Sequence, residues 1–445
     1  MKIVFYSTNS NHYASGKMDF KMLPSCTSQW DMLKAKYPQF EFVVVMQKPG
    51  MFLYDDGCDI KSQNVKYVFI EQSQSSVENM AEIICNQNPD IAIAVTYWTQ
   101  PFDWMSIKDS MIADVLRCKK IKTICHSLET SEICFDKFRT HQFLKQNNFN
   151  CADGVYVHHE MFYAERSKLV IAENIYRECV FSQIAKLKLP LVIKDTLGLS
   201  SFGMDVVNTY AEAKHILLSK KNNGDRLVEE FLQGPSFGIE IYGSEGNYTV
   251  TDPLINSVNQ FGLTSPKQNV KLGPVTAEKY KIPELKNEML RLANLLKLSG
   301  IAQVDLLFSD NQWYIIEINS RISGMTETMA ASMGISLYEL ILYSAGIINV
   351  EPKYNYVMNL KFPLLNSDKL NKLAQQKFVY GVNQIENKEA RQLREVGYSE
   401  VIFGQRNELK QVMDDLEILN NEFSDHMESI FYNNAQKLAE EIKNN

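Results

Sequence analysis

The sequence has no hydrophobic run approaching the ~18 residues that a membrane-spanning helix requires, so none is expected. It is modest in proline and glycine, 13 and 20 in 445 residues, and shows no internal repeat or low-complexity stretch, which excludes collagen-like and linker-dominated chains. It lacks an excess of positive charge: 46 Lys and Arg stand against 53 Asp and Glu, a net charge of −7. That balance argues against nucleic acid or a membrane surface as partner. The eight cysteines lie between Cys26 and Cys179 with no C-x-x-C pair and no zinc-spaced cluster. They read as buried thiols of a reducing compartment. Met1-Lys2-Ile3-Val4-Phe5-Tyr6 meets polar residues from Ser7 to His12 too early for a secretory signal, and a cytoplasmic location is expected.

What is present is an ordinary globular composition, 45% hydrophobic and 22% charged, in a chain long enough for roughly two to four domains. The first ~115 residues alternate short β-branched or aromatic runs (Lys2–Tyr6, Glu41–Met46, Lys66–Ile70, Ile91–Thr96, Lys122–Cys125) with helical periods at Trp30–Tyr37 and Val77–Asn86. The alternation predicts a doubly wound α/β unit with a parallel sheet. Its first strand runs into Ser7-Thr8-Asn9-Ser10-Asn11-His12, without the glycine fingerprint of a dinucleotide site. Residues 130–190 read as helical, clearest over Phe135–Gln146. Strands are then expected at Leu189–Lys194, Met204–Asn208, Arg226–Phe231, Ser236–Tyr242 and Tyr248–Asp252. A helix over Ile282–Leu298 precedes a hairpin from Ile301 to Asn319, which turns at Ser309-Asp310-Asn311-Gln312. The last ~95 residues mix strands (Met358–Leu364, Ser399–Phe403) with a final helix around Asp425–Lys443. The fold class is therefore α/β and α+β multidomain, divided as 1–115, 116–235, 236–350 and 351–445.

Two stretches suit a nucleotide. In Pro190-Leu191-Val192-Ile193-Lys194-Asp195-Thr196-Leu197-Gly198-Leu199-Ser200-Ser201-Phe202-Gly203-Met204 an apolar strand ends in a lysine and enters a small-residue loop. Glycines let backbone N–H groups approach a phosphate and serines add donors; a lysine beside a surface hairpin is the plainer alternative. Leu227-Val228-Glu229-Glu230-Phe231-Leu232-Gln233-Gly234-Pro235 could present strand backbone and one carboxylate to an adenine, although edge strands also carry acids.

The third stretch suits a metal. On Trp313–Asn319 alternate side chains share a face, so Glu317 and Asn319 point together, away from Tyr314, Ile316 and Ile318. Folding the hairpin brings Asp305 opposite Glu317 to within one residue. Two acids and an amide then converge in an apolar hairpin, a donor set suited to magnesium. Without a cation the two acids would repel and lose hydration. Arg321 continues the alternation and would suit a developing oxyanion or a transferring phosphoryl group. Ser323-Gly324-Met325-Thr326-Glu327 then enters a helix whose N-terminus offers free N–H groups. The adjacent His158-His159 pair finds no third ligand and reads as solvated.

In this order the stretches resemble the ATP-grasp superfamily, which includes D-alanine–D-alanine ligase, biotin carboxylase and the L-amino acid ligases, over roughly residues 115–350. The resemblance implies an ATP-grasp fold after an N-terminal α/β domain. It implies phosphate contacts from Lys137 (in Asp136-Lys137) and Lys194, and a closing loop at Gly198, Ser200, Ser201 and Gly203. Glu229, Glu230 and Leu232 look like the adenine strand, Asp305, Glu317 and Asn319 like magnesium ligands, and Arg321 like the catalytic arginine. ATP and Mg2+, with Mn2+ as a substitute, are the implied cofactors; the implied partners are small carboxylate and amine substrates, with a homodimer left open. Three departures stand out. Ser236 replaces the acid that holds ribose in many relatives, and the loop has fewer glycines than usual. Gln303 replaces an arginine of the D-alanine ligases, which argues against that activity. Gly238-Ile239-Glu240 and Ser323-Gly324-Met325-Thr326 look closer to amino-acid and peptide ligases. The expected activity is formation of an acyl phosphate and its attack by an amine. The rivals are a carboxylase acting on bicarbonate through carboxyphosphate, and a non-catalytic ATP-binding module.

Overall fold

The computed structural model describes residues 1–8, 19–47, 54–55, 58–59, 62–96, 105–167, 172–197, 204–219, 222–259, 262, 269–386, 398–424 and 427–443. Near the N-terminus lies a five-stranded parallel sheet in the order Val65–Ile70, Glu41–Gln47, Lys2–Ser7, Ile91–Ala94, Lys122–Ile124. Its strands are continuous apolar runs because both faces are covered. Ile3 and Phe5 pack with Trp30, Phe42 and Val44, whereas Val4 and Tyr6 pack with Val43, Val45, Met80 and Ile112 on the other side. The strand order reverses between Lys2–Ser7 and Ile91–Ala94, and the carboxyl ends of such strands border a crevice.

A four-stranded antiparallel sheet follows, in the order Asp205–Val207, Leu191–Asp195, Arg226–Glu230, Gly154–Val157. Gly154–Val157 corrects the all-helical reading of residues 130–190. This short run is a strand because Arg226–Glu230 supplies its ladder, a pairing that local periodicity does not reveal. The helices Leu128–Phe135, Lys137–Gln146 and Ile175–Ile184 do lie in that interval.

The largest sheet runs Gln312–Asn319, Ser299–Ser309, Ser236–Ser244, Leu254–Asn256, Lys271–Gly273, Tyr356–Pro363, Tyr398–Arg406, Val379–Glu386 and Asp19–Leu23, with Asn247–Val250 paired to the third strand. Val379–Glu386, Asp19–Leu23 and the helix Leu409–Glu422 were absent from the sequence reading. Asp19–Leu23 could not be foreseen, since among the described residues its ladder is with Val379–Glu386 at the other end of the chain. One face of this sheet is a hydrophobic core: Phe237, Ile239, Val304, Leu306, Met358 and Val401 meet the helices Ile282–Leu296, Leu409–Glu422 and Ser429–Lys443. The opposite face carries the helices Thr326–Met333 and Leu337–Ser344, which also reach the N-terminal sheet. No described helix is long and apolar enough to cross a membrane.

His126 ties the N-terminal sheet to the large one. Its Nε2 lies 2.8 Å from the Ile301 carbonyl oxygen, and its Nδ1 accepts from the Ser299 N–H at 3.2 Å, which makes Nε2 the protonated nitrogen. Burial pushes the imidazole down to about 4. Below the ordinary value of about 6.5 the unfolded chain takes up a proton that the folded chain refuses, so this contribution is lost as pH falls from about 6.5 to about 4, at up to about 1.4 kcal/mol per pH unit. Urea unfolding between pH 7 and pH 5 should therefore show a steeper loss in the native protein than in His126→Asn. Parallel pH profiles would contradict this.

Candidate active site

The turn at Asp310 and Asn311, with φ of 48° and 62°, closes the Ser299–Ser309 and Gln312–Asn319 hairpin with two left-handed residues, the chemistry such turns favour. From the turn the register runs Ser309 with Gln312 to Leu306 with Ile315, then slips so that Asp305 pairs with Glu317 and Gln303 with Asn319. Ile316 is the extra residue, and it is exposed. The bulge re-aims the strand: Ile315 and Ile318 both enter the hydrophobic core, while Glu317 and Asn319 face the opposite side beside Asp305 and Gln303. Simple alternation from the turn would have set Ile316 against Asp305.

The predicted metal residues are therefore neighbours. Gln303 Nε2 donates to Asp305 Oδ1 at 2.7 Å, Asn319 Nδ2 donates to Gln303 Oε1 at 2.8 Å, and Arg321 donates to Asn319 Oδ1 at 3.1 Å. Lys137 Nζ lies 3.2 Å from Glu317 Oε1. Burial first, and then the charge of Glu317, push the Asp305 carboxyl up to about 7. Two acids and an amide oxygen, side by side and half-buried, would fit a divalent cation that completes its shell with phosphate oxygens and water. Among the described residues no cluster of three or more His, Cys, Asp or Glu side chains offers another metal site.

Asp136 caps the Lys137–Gln146 helix, accepting from the Phe138 and Arg139 N–H groups at 2.8 and 3.2 Å, and this fixes Lys137 at the first helical position. The Lys137 N–H donates to the Thr196 carbonyl at 2.9 Å, joining that helix to the strand bearing Lys194. Lys194 is buried in an ion pair with Glu229. A Cβ on Gly154 would sit 2.8 Å from Glu229 Cγ, so that glycine leaves the glutamate its space. Glu230 faces the other way, accepting from the Lys188 N–H at 2.8 Å, and Leu232 follows the strand, half-buried. Lys194 and Glu229 thus come together, as do Lys137 and the acids. Gly198, Ser200, Ser201 and Gly203 lie outside the described residues.

Three features escaped the sequence reading. Gln303 had been noted only as a departure, yet it bridges Asp305 and Asn319. Glu240, paired in register with Gln303, is fully buried and accepts from Thr326 Oγ1 at 2.6 Å, Tyr242 OH at 2.5 Å and Ser323 Oγ at 3.3 Å. It thereby fixes the turn after Arg321, and burial raises its carboxyl to about 7. A Cβ on Gly238 would lie 2.1 Å from Met325 Cε, so the same turn packs directly onto the strand beside Asp305. A cavity also opens beyond Arg321. Ala94, Thr96, Asp109, His126, Ser320 and Arg321 are among its lining residues, which places it at the reversal point of the N-terminal sheet.

Residues 169–347 match the family model described as D-ala D-ala ligase C-terminus. The chain superposes on an L-amino acid ligase from Bacillus licheniformis with a TM-score of 0.63 at 17% identity, covering 95% of this chain and 97% of that one. Residues 169–347 thus resemble the C-terminal domain of D-ala D-ala ligases, and the fold is the one seen in ATP-grasp enzymes. An N5-carboxyaminoimidazole ribonucleotide synthetase from Thermus thermophilus shows the same ATP-grasp fold, with a TM-score of 0.61, 13% identity and coverage of 95% and 98%. A D-alanine–D-alanine ligase from Buchnera aphidicola subsp. Schizaphis graminum is 28% identical over 249 residues, 53% of this chain and 76% of that protein. A carbamoyl-phosphate synthase from Methanobrevibacter smithii is 25% identical over 190 residues, 41% of this chain. The chain spans only 51% of that protein, and 22% of a carbamoyl phosphate synthase large chain from Thermotoga petrophila.

The hydrogen bonds of the ATP-grasp hairpin make Gln303 testable by stability. Gln303→Leu removes a bridge between two nearly buried polar groups and should cost about 1–3 kcal/mol, read as a lower urea midpoint at unchanged slope. An unchanged midpoint would mean that Asp305 and Asn319 satisfy each other without it.

Proposed function

We propose that this protein is an ADP-forming ligase that activates a carboxylate, of an amino acid, as an acyl phosphate and joins it to an amine. The observation that carries the reading is the convergence of Asp305, Glu317, Asn319 and Arg321 on one hairpin face with Lys137 against it. Lys194 and Lys137 would hold the nucleotide phosphates, and the 198–203 loop would close over them. Glu229, Glu230 and Leu232 would receive the adenine along the Arg226–Glu230 strand. Asp305, Glu317 and Asn319 would hold magnesium, or manganese in its place, which would supply charge neutralisation at the phosphates.

In the first step a carboxylate oxygen attacks the γ-phosphorus and the bond to the β-phosphate oxygen breaks, releasing ADP. In the second the amine nitrogen bonds the acyl carbon, the acyl C–O bond breaks, inorganic phosphate leaves, and the amine gives up a proton. Arg321, always charged, meets the negative charge that grows on the acyl phosphate and the tetrahedral intermediate. The cavity beside Arg321 is room for the carboxylate substrate, and its hydroxyl-rich lining suits a small polar molecule. Gln303, standing where D-alanine ligases carry arginine, favours a different substrate pair. Turnover that requires bicarbonate and no added amino acid would instead favour a carboxylase.

Two variants test the assignment. Glu317→Gln should abolish ADP formation while the fold remains intact, and an active Glu317→Gln enzyme at ordinary magnesium would contradict the metal site. Arg321→Ala should bind ATP nearly normally and turn over ~10²–10³ more slowly. If its melting temperature falls and residual activity follows the folded fraction, Arg321 only holds the hairpin.

A further inference from the structure

Each of the three residues assigned to the metal already has a partner inside the protein. Asp305 accepts from Gln303 Nε2, Asn319 Oδ1 accepts from Arg321, and Glu317 is ion-paired with Lys137 at 3.2 Å. The first two partners belong to the hairpin and the residues just after it. Lys137 does not: it opens the Lys137–Gln146 helix, 180 residues before Glu317 in the chain. Its backbone is pinned by the Asp136 cap and by the N–H donated to the Thr196 carbonyl, while its charge rides on a flexible four-carbon stem. Side-chain exposures of 14% for Lys137 and 26% for Glu317 leave the pair open to an incoming ion.

Lys194 repeats the pattern. Also assigned to phosphate, it is buried in an ion pair with Glu229, the carboxylate assigned to the adenine. Both lysines therefore rest on acids that have a different ligand group to meet. At Glu317 the two demands are exclusive. A carboxylate with an ammonium against it attracts a divalent cation far less than a bare one, because the cation meets the lysine's charge at similar range. A lysine engaged by a carboxylate likewise offers little charge to a phosphate. The charge of Lys137 reaches Asp305 as well, so its influence covers both acids of the hairpin.

We infer that Lys137 is the resident counter-ion of Glu317 and keeps a divalent cation out of the hairpin until nucleotide arrives. Glu317 then passes from Lys137 to the cation, and Lys137 passes from Glu317 to a phosphate oxygen. Metal alone is refused because Glu317 is already neutralised, and nucleotide without metal finds its lysine held. This exchange presupposes the nucleotide and metal assignments made above; what it adds is that the two ligands are admitted as a pair, and that one ion pair enforces it.

Binding to the full chain, without turnover, tests this. Mn2+ alone is titrated and read by loss of the free-ion electron paramagnetic resonance signal. The non-hydrolysable analogue AMP-PNP is titrated calorimetrically, once with Mg2+ and once in EDTA. Lys137→Met should bind Mn2+ alone about tenfold more tightly and AMP-PNP with Mg2+ about tenfold more weakly. The opposite signs are the signature. A lysine that only holds the helix against the hairpin would weaken both ligands when removed, and one that stays on Glu317 after nucleotide binds would strengthen both. Either pattern, or an unchanged Mn2+ affinity, would overturn the exchange. Glu317→Gln releases Lys137 and should bind AMP-PNP in EDTA about threefold more tightly than the native protein. Should Lys137→Met fail to melt natively, this second variant decides, and unchanged or weaker metal-free binding overturns the exchange. A native protein that takes up Mn2+ as tightly without AMP-PNP as with it would do the same. A native protein that binds AMP-PNP neither with Mg2+ nor in EDTA would overturn the nucleotide reading itself.

Discussion

Two carboxylates, Asp305 and Glu317, stand directly across from one another on adjacent strands, and much of the molecule answers to the cost of keeping them there. Like charges in a half-buried place repel and lose part of their hydration. Lys137 against Glu317 and Gln303 against Asp305 relieve part of that cost. On the proposed function, the rest would be left for a cation and its phosphates to relieve, and that residual would favour their binding.

The bulge at Ile316 is the structural device behind this arrangement. One extra residue lets Ile315 and Ile318 fill the core while Glu317 and Asn319 turn to the acid face. The strand thus serves packing and chemistry at once. The same separation of faces extends across the sheet, with core residues Val304, Phe237, Met358 and Val401 on one side. On the other lie Asp305, Glu240, Lys271, Lys361 and Glu400. The helix Thr326–Met333 closes over that second side, and Gly238 lets Met325 approach the strand beside Asp305. On the proposed function, a single rigid sheet would organise the phosphate and metal groups, as precise sites require.

The parallel N-terminal sheet and the 299–319 hairpin were legible in the sequence because each is marked by local signals, apolar runs in one case and Asp310-Asn311 with alternating Glu317 and Asn319 in the other. The bulge was not, since nothing local distinguishes Ile316 from its neighbours; only the competing demands of core and site do. Gly154–Val157 and Asp19–Leu23 were invisible for a related reason: each is a strand because a distant partner offers it a ladder.

The central claim is that a carboxylate oxygen, and no other nucleophile, attacks the terminal phosphate of ATP. A substrate amino acid carrying ¹⁸O in its carboxylate tests this directly when product phosphate is analysed by mass. Activation as an acyl phosphate transfers one ¹⁸O into the inorganic phosphate for each amide formed, with ADP as the other product. Phosphate free of label, or release of AMP and pyrophosphate in place of ADP, would contradict the account.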